Sequence, residues 1–246
     1  MNRLFAEDLK PEDTQIHITG EDLHHIKNVL RMRLGEPIEV VSGPFVYSCT
    51  IQDYDADGAL LCVEGYRPSD HESPIEITLY QALAKGDKVD QVVQKAVELG
   101  VHQIVPIRTK RCVVQLEGKK AEQRVQKWQR IAEEAAKQSR RDRIPKVGSI
   151  LDLKQIPVEG ILLLPYEEAA EMSLKELLRG LSLPRQGGNI AFVIGPEGGF
   201  APEEVEVLME KGARVLRLGP RILRTETAGP AFLAILQYEL GDMGGC

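Results

Sequence analysis

Residues Ile190 to Ile194 form an unbroken apolar, partly β-branched run that stops at Gly195-Pro-Glu-Gly-Gly199. A run without polar alternation suits a strand buried on both faces, and such strands belong to parallel sheets covered by helices. Three glycines in the turn leave it almost bare of side chains, so the backbone can take up φ > 0 and approach a ligand closely. Pro202 fits the first position of a helix, and Glu203 and Glu204 complement its N-terminus. The pattern returns once: a strand over Arg214 to Leu218, the pair Gly219-Pro220, then a helix from about Arg224. A bare loop between a buried strand and a helix start can hold a polar small molecule on its backbone. Either loop alone reads equally well as an ordinary turn. Two of them in one half of a chain point to a small-molecule site.

From Ile75 onward, strand and helix signals alternate, which implies a mainly parallel sheet. A strand over Ile75 to Ala82 leads to Lys85-Gly-Asp-Lys-Val-Asp90, and Val89, Val92, Val93, Ala96 and Val97 then form one helical stripe ended by Gly100. Ile104 to Ile107 is the next strand. A long helix over Lys119 to Ser139 sets Val125, Trp128, Ala132 and Ala135 on one side, with Lys127, Arg130, Lys137 and Arg141 on the other. Trp128 reads as a core anchor before a base-stacking platform. Ile161 to Tyr166 is a buried strand ending at a proline. Ser173 to Glu176 forms a capping box for a following helix that Gly180 stops. The last helix, about Arg224 to Leu240, is apolar over much of its surface (Ala228, Phe232, Ile235, Leu236, Tyr238), so it must be covered by its own domain or by a partner.

Residues 1–70 read differently. Gln15 to Ile18 is strand-like, and Thr19-Gly-Glu-Asp22 has the form of a capping box starting a helix over Leu23 to Met32. Gly35 to Val41, Phe45 to Tyr54 and Ala59 to Gly65 are strands separated by Gly43-Pro44 and Asp55 to Gly58. This is a small, mostly β, barrel-like unit. The polar segment Tyr66 to Pro74 is the expected linker, giving domains 1–70 and 75–246.

The charge distribution matters more than its sum. The chain carries a formal −6, yet Arg108 to Lys146 holds 13 Lys/Arg against 5 Asp/Glu, so the remaining residues carry −14. That asymmetry points to a basic face for a polyanion, set against the plainer reading of a solvated helix surface. With 43% hydrophobic and 28% charged residues the composition is globular. No apolar run reaches the length of a membrane span, and the first residues lack the apolar core of a secretion signal. Cys49, Cys62, Cys112 and Cys246 show neither metal-ligand spacing nor a redox pair, and His24-His25 point apart on a helix. A cytoplasmic protein without a metal is expected.

Ile194-Gly-Pro-Glu-Gly-Gly-Phe200 followed by Leu218-Gly-Pro-Arg-Ile-Leu-Arg-Thr-Glu-Thr-Ala228 resembles the cofactor loops of the SPOUT RNA methyltransferases. Within that class the wording is similar to the bacterial family that methylates N3 of a uridine in 16S ribosomal RNA of the small subunit. The likeness spans nearly the whole chain, including Lys85 to Asp90, Gln94 to Gly100, Glu134 to Arg140 and His25 to Arg33. It implies an α/β fold: a C-terminal parallel sheet with helices on both faces and a deep trefoil knot, after a small PUA-like β-barrel domain. It implies S-adenosyl-L-methionine as cofactor, ribosomal RNA or the small ribosomal subunit as partner, and a homodimer.

The resemblance places the cofactor on the backbone of Ile194, Gly195, Pro196, Glu197, Gly198 and Gly199, and of the stretch Leu218 to Leu223, with Leu218, Gly219, Ile222, Leu223 and Thr225 as its named contacts and Leu164 and Pro165 beside the adenine. Its sulfonium donor leaves as a neutral thioether, so no general acid is needed. Uridine N3 is a weakly acidic imide N–H whose lone pair is freed only when the proton goes. Arg224 suits stabilisation of the resulting anion, because a guanidinium stays charged and donates in a fork. Glu226 is the nearest candidate base, and Glu197 a partner for the sulfonium or its amino group. A bracing hydrogen bond is an equal reading for both glutamates. Candidate RNA contacts are His25, Lys27, Arg31 and Arg33 in the first domain, and Lys85, Lys88, Arg111, Lys137, Arg140 and Arg141 beyond it. Alternatives are a methyltransferase acting at another RNA position, a non-catalytic ribosome-assembly factor, and a nucleotide-dependent enzyme. Against the last, neither loop carries G-x-x-x-x-G-K-[ST] or G-x-G-x-x-G.

Overall fold

The computed structural model describes residues 2–157, 159–167, 174–180 and 188–244. The chain divides into two compact units, one built from residues up to Glu72 together with Lys137–Arg143, the other from Ser73–Ala136 and Ile144 onward. Each unit has its own sheet.

In the first unit the strands are β1 (Asn2–Phe5), β2 (Gln15–Ile18), β3 (Pro37–Ser42), β4 (Phe45–Tyr54) and β5 (Ala59–Pro68), with the short helix α1 (Gly20–His24) after β2. Their order is β1-β3-β4-β5-β2, antiparallel except for the β1–β3 pair. All five strands contribute to one apolar core that includes Leu4, Ile16, Val40, Tyr47, Ile51 and Leu61. Alternation within each strand sends these residues inward. The helix expected over Leu23 to Met32 is different in form. After five α residues it widens into a π turn, His25–Val29, with Leu30 N–H donating to the His25 carbonyl at 2.9 Å. Arg31 at φ 53° ends it, and Ile26 and Met32 are the buried residues of the segment. Thr19 stands at the N-cap, but its side chain makes no capping bond.

The second unit is a parallel α/β layer. Its elements are β6 (Ile75–Ala82), α2 (Lys88–Glu98), β7 (Gln103–Arg108), α3 (Gly118–Gln138), β8 (Lys146–Val147), β9 (Leu151–Asp152), β10 (Ile161–Pro165), α4 (Leu174–Arg179), β11 (Gly188–Ile194), α5 (Pro202–Glu210), β12 (Arg214–Leu216) and α6 (Thr225–Leu240). Among the described residues the strand order is β12-β10-β11-β6-β7-β8, with β9 also on β7. The β11 run pairs with β6 on one side and β10 on the other, so it is central and buried on both faces, as its composition requires. From β11 the chain crosses beyond β10 to place β12 at the sheet edge.

The helical stripe Val89, Val92, Val93, Ala96 and Val97 is wholly buried, and Gly100 ends α2 with φ 83°. Trp128 is a core residue, its indole N–H donating to Asp90 at 2.8 Å. On α6, Phe232, Leu233 and Leu236 are fully buried, and Phe232 meets Phe192 of β11 edge-on at 5.1 Å. Each such burial stabilises by about 1.5–3 kcal/mol, enough for α6 to be anchored although Ile235 and Tyr238 on its other side stay exposed. Gly180 stops α4 with its N–H on the Glu176 and Leu177 carbonyls. The cap expected at Ser173 lies outside the described residues.

Candidate active site

The carboxyl ends of β10, β11 and β12 open into one cavity of about 390 Å³ in the second unit. Its floor and walls are the two glycine loops. In the first, Gly199 N–H donates to the Pro196 carbonyl at 2.9 Å with Gly199 at φ 68°, a tight turn open to glycine and strained for other residues. A Cβ on Gly195 would stand 3.0 Å from the Phe200 ring, and one on Gly198 would stand 3.3 Å from Arg111 Cβ. Helix α5 then starts with Pro202 at its N-terminus. Glu204 accepts from Ala201 N–H at 2.9 Å and, with its other oxygen, from Lys110 N–H at 2.7 Å. A buried carboxylate thereby ties the loop after β7 to the loop after β11.

The second loop, Leu218–Arg224, lies over the cavity with Gly219 at φ 126°. Arg224 is the N-cap of α6. Thr225, the first helical residue, is buried and donates its hydroxyl to the Gly195 carbonyl at 2.7 Å, joining the two loops.

Of the cofactor residues expected from the sequence, Pro165, Ile194 to Gly199, Leu218, Gly219, Ile222, Leu223 and Thr225 all line the cavity. Leu164 does not. It is fully buried in β10, and β-strand alternation turns its side chain away from where Pro165 points. Arg224 lines the cavity and is exposed, whereas Glu226 is half-buried and is not among the lining residues. Pro220 and Arg221, inside the expected Leu218 to Leu223 stretch, line it too, and Tyr166, Glu167, Phe200, Arg217 and Ala228 complete the wall without having been expected there. Arg217 carries a signal that could have found it, because it puts a charge directly before the Leu218-Gly-Pro220 turn.

Lys88 joins the two glutamates. Its ammonium is 3.0 Å from Glu197 and 3.7 Å from Glu226, and Glu197 also accepts the Lys85 N–H at 3.1 Å. Burial pushes the Glu197 carboxyl up, but hydrogen bonds from its own backbone N–H, from Lys88 and from Lys85 outweigh it and hold it below the usual range. Lys88 is raised in turn, chiefly by its hydrogen bond to Glu197. The Glu226 oxygen nearest Lys88, Oε2, is buried and takes no hydrogen bond within normal distance among the described residues, so the Lys88 charge reaches it only as an ion pair.

The expected RNA contacts are placed unevenly. Lys27, Arg31, Arg33, Lys85, Arg111 and Arg140 are exposed, and His25 is half-buried. Lys27 stands 5.3 Å over the Tyr54 ring, and Arg111 donates to the Gly198 carbonyl at 2.9 Å. Lys88 belongs to the glutamate pair just described, and Lys137 pairs with Asp22 at 2.6 Å. Arg141 is not on the surface. Its side chain is 5% exposed and grips Glu72 with two nitrogens.

The chain matches the model of an RNA methyltransferase domain over residues 71–237 and that of an RNA methyltransferase PUA domain over residues 18–61. It is 36% identical over 249 residues to the ribosomal RNA small subunit methyltransferase E of Bacillus subtilis, covering 97% of each chain. The chain belongs to this family of RNA methyltransferases. The Aquifex aeolicus member of the same name is 34% identical over 223 residues, covering 88% of this chain and 91% of the other. A solved family structure, the Neisseria gonorrhoeae ribosomal RNA small subunit methyltransferase E bound to S-adenosyl methionine, superposes with a TM-score of 0.86 at 32% identity and covers 99% of both chains. The family's fold, a parallel α/β domain after a PUA-like domain, is the fold described above.

Proposed function

We propose that this protein transfers a methyl group from S-adenosylmethionine to N3 of a uridine in small-subunit ribosomal RNA. The observation that carries the reading is the cavity formed by the two glycine loops, with Arg224 at its wall and the Lys88-bridged glutamates beside it. The cavity fits the cofactor. Its volume lies in the range of small-molecule sites, its floor is a backbone turn in which three of five residues are glycine, and the Neisseria relative was solved with that cofactor.

When bound, the cofactor supplies an electrophilic methyl group on a sulfonium centre. The backbone of Gly195 to Gly199 and of Leu218 to Leu223 would hold it, and Glu197 would lend a negative charge. The residues of the chain must then prepare the nucleophile. The N3 proton has to go, and the charge left behind spreads over O2 and O4. Arg224, exposed at the cavity wall and permanently charged, is placed to donate to that charge as it develops. Glu226, whose Oε2 has the Lys88 ammonium 3.7 Å away and no hydrogen bond among the described residues, is the group assigned to take the proton. Lys27, Arg31, Arg33 and Arg140, all on the first unit, are the exposed cations assigned to phosphate contacts, which hold RNA without reading its sequence. The knot and a cytoplasmic location complete this reading, as the resemblance and the ribosomal substrate imply.

A single-turnover assay with purified protein, labelled cofactor and small ribosomal subunits tests it. The wild-type enzyme is expected to methylate the RNA. Glu226→Gln should be slower by about 10² to 10⁴-fold, the range for removal of a general base, and partly recover as pH rises and more uracil is already deprotonated. No transfer by the wild type contradicts the function, and a near-normal Glu226→Gln rate from mildly acidic to alkaline pH contradicts the base assignment.

A further inference from the structure

Gln81 is the penultimate residue of the central strand β6, opposite the cavity-lining Ile194 in the register. It is fully buried. An amide there carries a desolvation penalty that leucine or methionine would not, and only hydrogen bonds can offset it. Both of its N–H groups are used. One goes to the Ala82 carbonyl at 3.0 Å and the other to the Thr225 hydroxyl at 2.9 Å. The Ala82 carbonyl can only accept, so the amide must present its nitrogen on this side. The Gln81 oxygen consequently has no hydrogen-bond partner among the described residues and lies against Gly229 of α6.

This arrangement removes the freedom of the Thr225 hydroxyl. A hydroxyl has one proton and can otherwise rotate to suit its surroundings. Here it receives a proton from Gln81, so its own proton has one destination, the Gly195 carbonyl at 2.7 Å. The result is a one-way chain from β6, through the first residue of α6, to the first residue of the bare loop after β11. Arg224 and Glu226 flank its middle member.

We propose that Gln81 is a positioning residue that presets the cofactor pocket by fixing the direction of the Thr225–Gly195 hydrogen bond. The inference rests on the reading of the cavity as an S-adenosylmethionine site. Gln81 does not line that cavity. Its contribution is to hold the Gly195 peptide and the α6 N-terminus together before the cofactor arrives, so that less ordering remains to be done on binding.

The test is calorimetric titration of S-adenosylmethionine into the full chain, with Gln81→Met, Thr225→Val and the double variant, alongside thermal unfolding of each. Gln81→Met keeps the volume and removes both the donor and the unpaired oxygen, so its thermal midpoint should stay near that of the wild type. Its cofactor affinity should fall by about three- to tenfold, the size of one hydrogen bond. The double variant should bind no more weakly than Thr225→Val alone, because both substitutions cut the same chain. If Gln81→Met does not fold, Gln81→Leu takes its place. A folded Gln81 variant with wild-type affinity, or losses that add in the double variant, overturns the positioning role. Wild-type protein that binds no S-adenosylmethionine overturns the cofactor reading instead, so the two failures are told apart.

Discussion

Asp142 accepts three hydrogen bonds on one oxygen, from the Ser69 hydroxyl and from the backbone N–H groups of Asp70 and His71, each at 2.9 Å. Its other oxygen meets the buried guanidinium of Arg3 at 2.5 Å. Burial raises the Asp142 pKa, but these bonds and the Arg3 charge outweigh it and leave the carboxyl below its ordinary value. The unfolded chain therefore takes up this proton first as the solution is acidified. Asp142 stabilises the first unit above the ordinary carboxylate pKa of about 4, and the stabilisation is lost as pH falls through the lower folded value. In unfolding titrations with denaturant from mildly to strongly acidic solution, the wild type should lose stability steeply, and Asp142→Asn should start lower and lose less. Parallel pH curves for the two proteins would show that Asp142 is not the group responsible. Nothing in the sequence marked Asp142 out, because its partners come from residues 3 and 69–71, far away along the chain.

The α3 helix and the loop that follows it show why a charge count differs from a charge surface. Of the basic residues from Arg108 to Lys146, Arg108 pairs with Asp152, Lys110 with Glu203, Arg124 and Lys127 with Asp90, Lys137 with Asp22 and Arg141 with Glu72. Much of the local +8 is thus neutralised by acidic residues brought from elsewhere. The adjacent residues Arg140 and Arg141 separate the two roles. Arg140→Glu should weaken RNA binding and reduce the log–log salt slope by roughly 0.7 to 0.9 for each phosphate that is no longer neutralised. Arg141→Ala should instead leave the slope alone and destabilise by about 1 to 3 kcal/mol, because a part-buried Glu72 is left without its charged partner. Filter binding across a salt series and thermal unfolding distinguish them, and exchanged outcomes would reverse the assignment. The elements themselves were largely legible. The stripe on α2, the central β11 run and the loop-to-helix punctuation follow from local periodicity and from glycine and proline. The π turn at His25–Val29 was not, because the segment carries the same local signals as an α-helix. The two-residue strands β8 and β9 carry too few residues for a periodic signal.

At the scale of the whole molecule, α6 combines a buried side, Phe232, Leu233 and Leu236, with an exposed one where Tyr238 is 64% and Ile235 37% accessible, and Met243 beyond it is 51% accessible. We propose that a second copy covers this face, in keeping with the homodimer implied by the family resemblance. Light scattering at micromolar concentration should give about twice the 27.4 kDa of one chain, and Tyr238→Glu should return it towards that value. A monomeric wild type contradicts the proposal. Both loops of the site could be found in the sequence because they are contiguous, whereas the links between them could not. Gln81, Lys88 and Glu204 reach the glycine loops only once the sheet has placed β6, β7 and β11 in one layer. The central claim is the proposed chemistry at uridine N3, and mass mapping of methylated nucleotides in small-subunit ribosomal RNA, from cells with and without the gene, tests it most directly. One N3-methyluridine should disappear without the gene and return when the purified protein and S-adenosylmethionine are added to the unmodified subunits. An unchanged set of modified nucleotides, or a missing methyl group that maps to another atom or another base, would contradict the account.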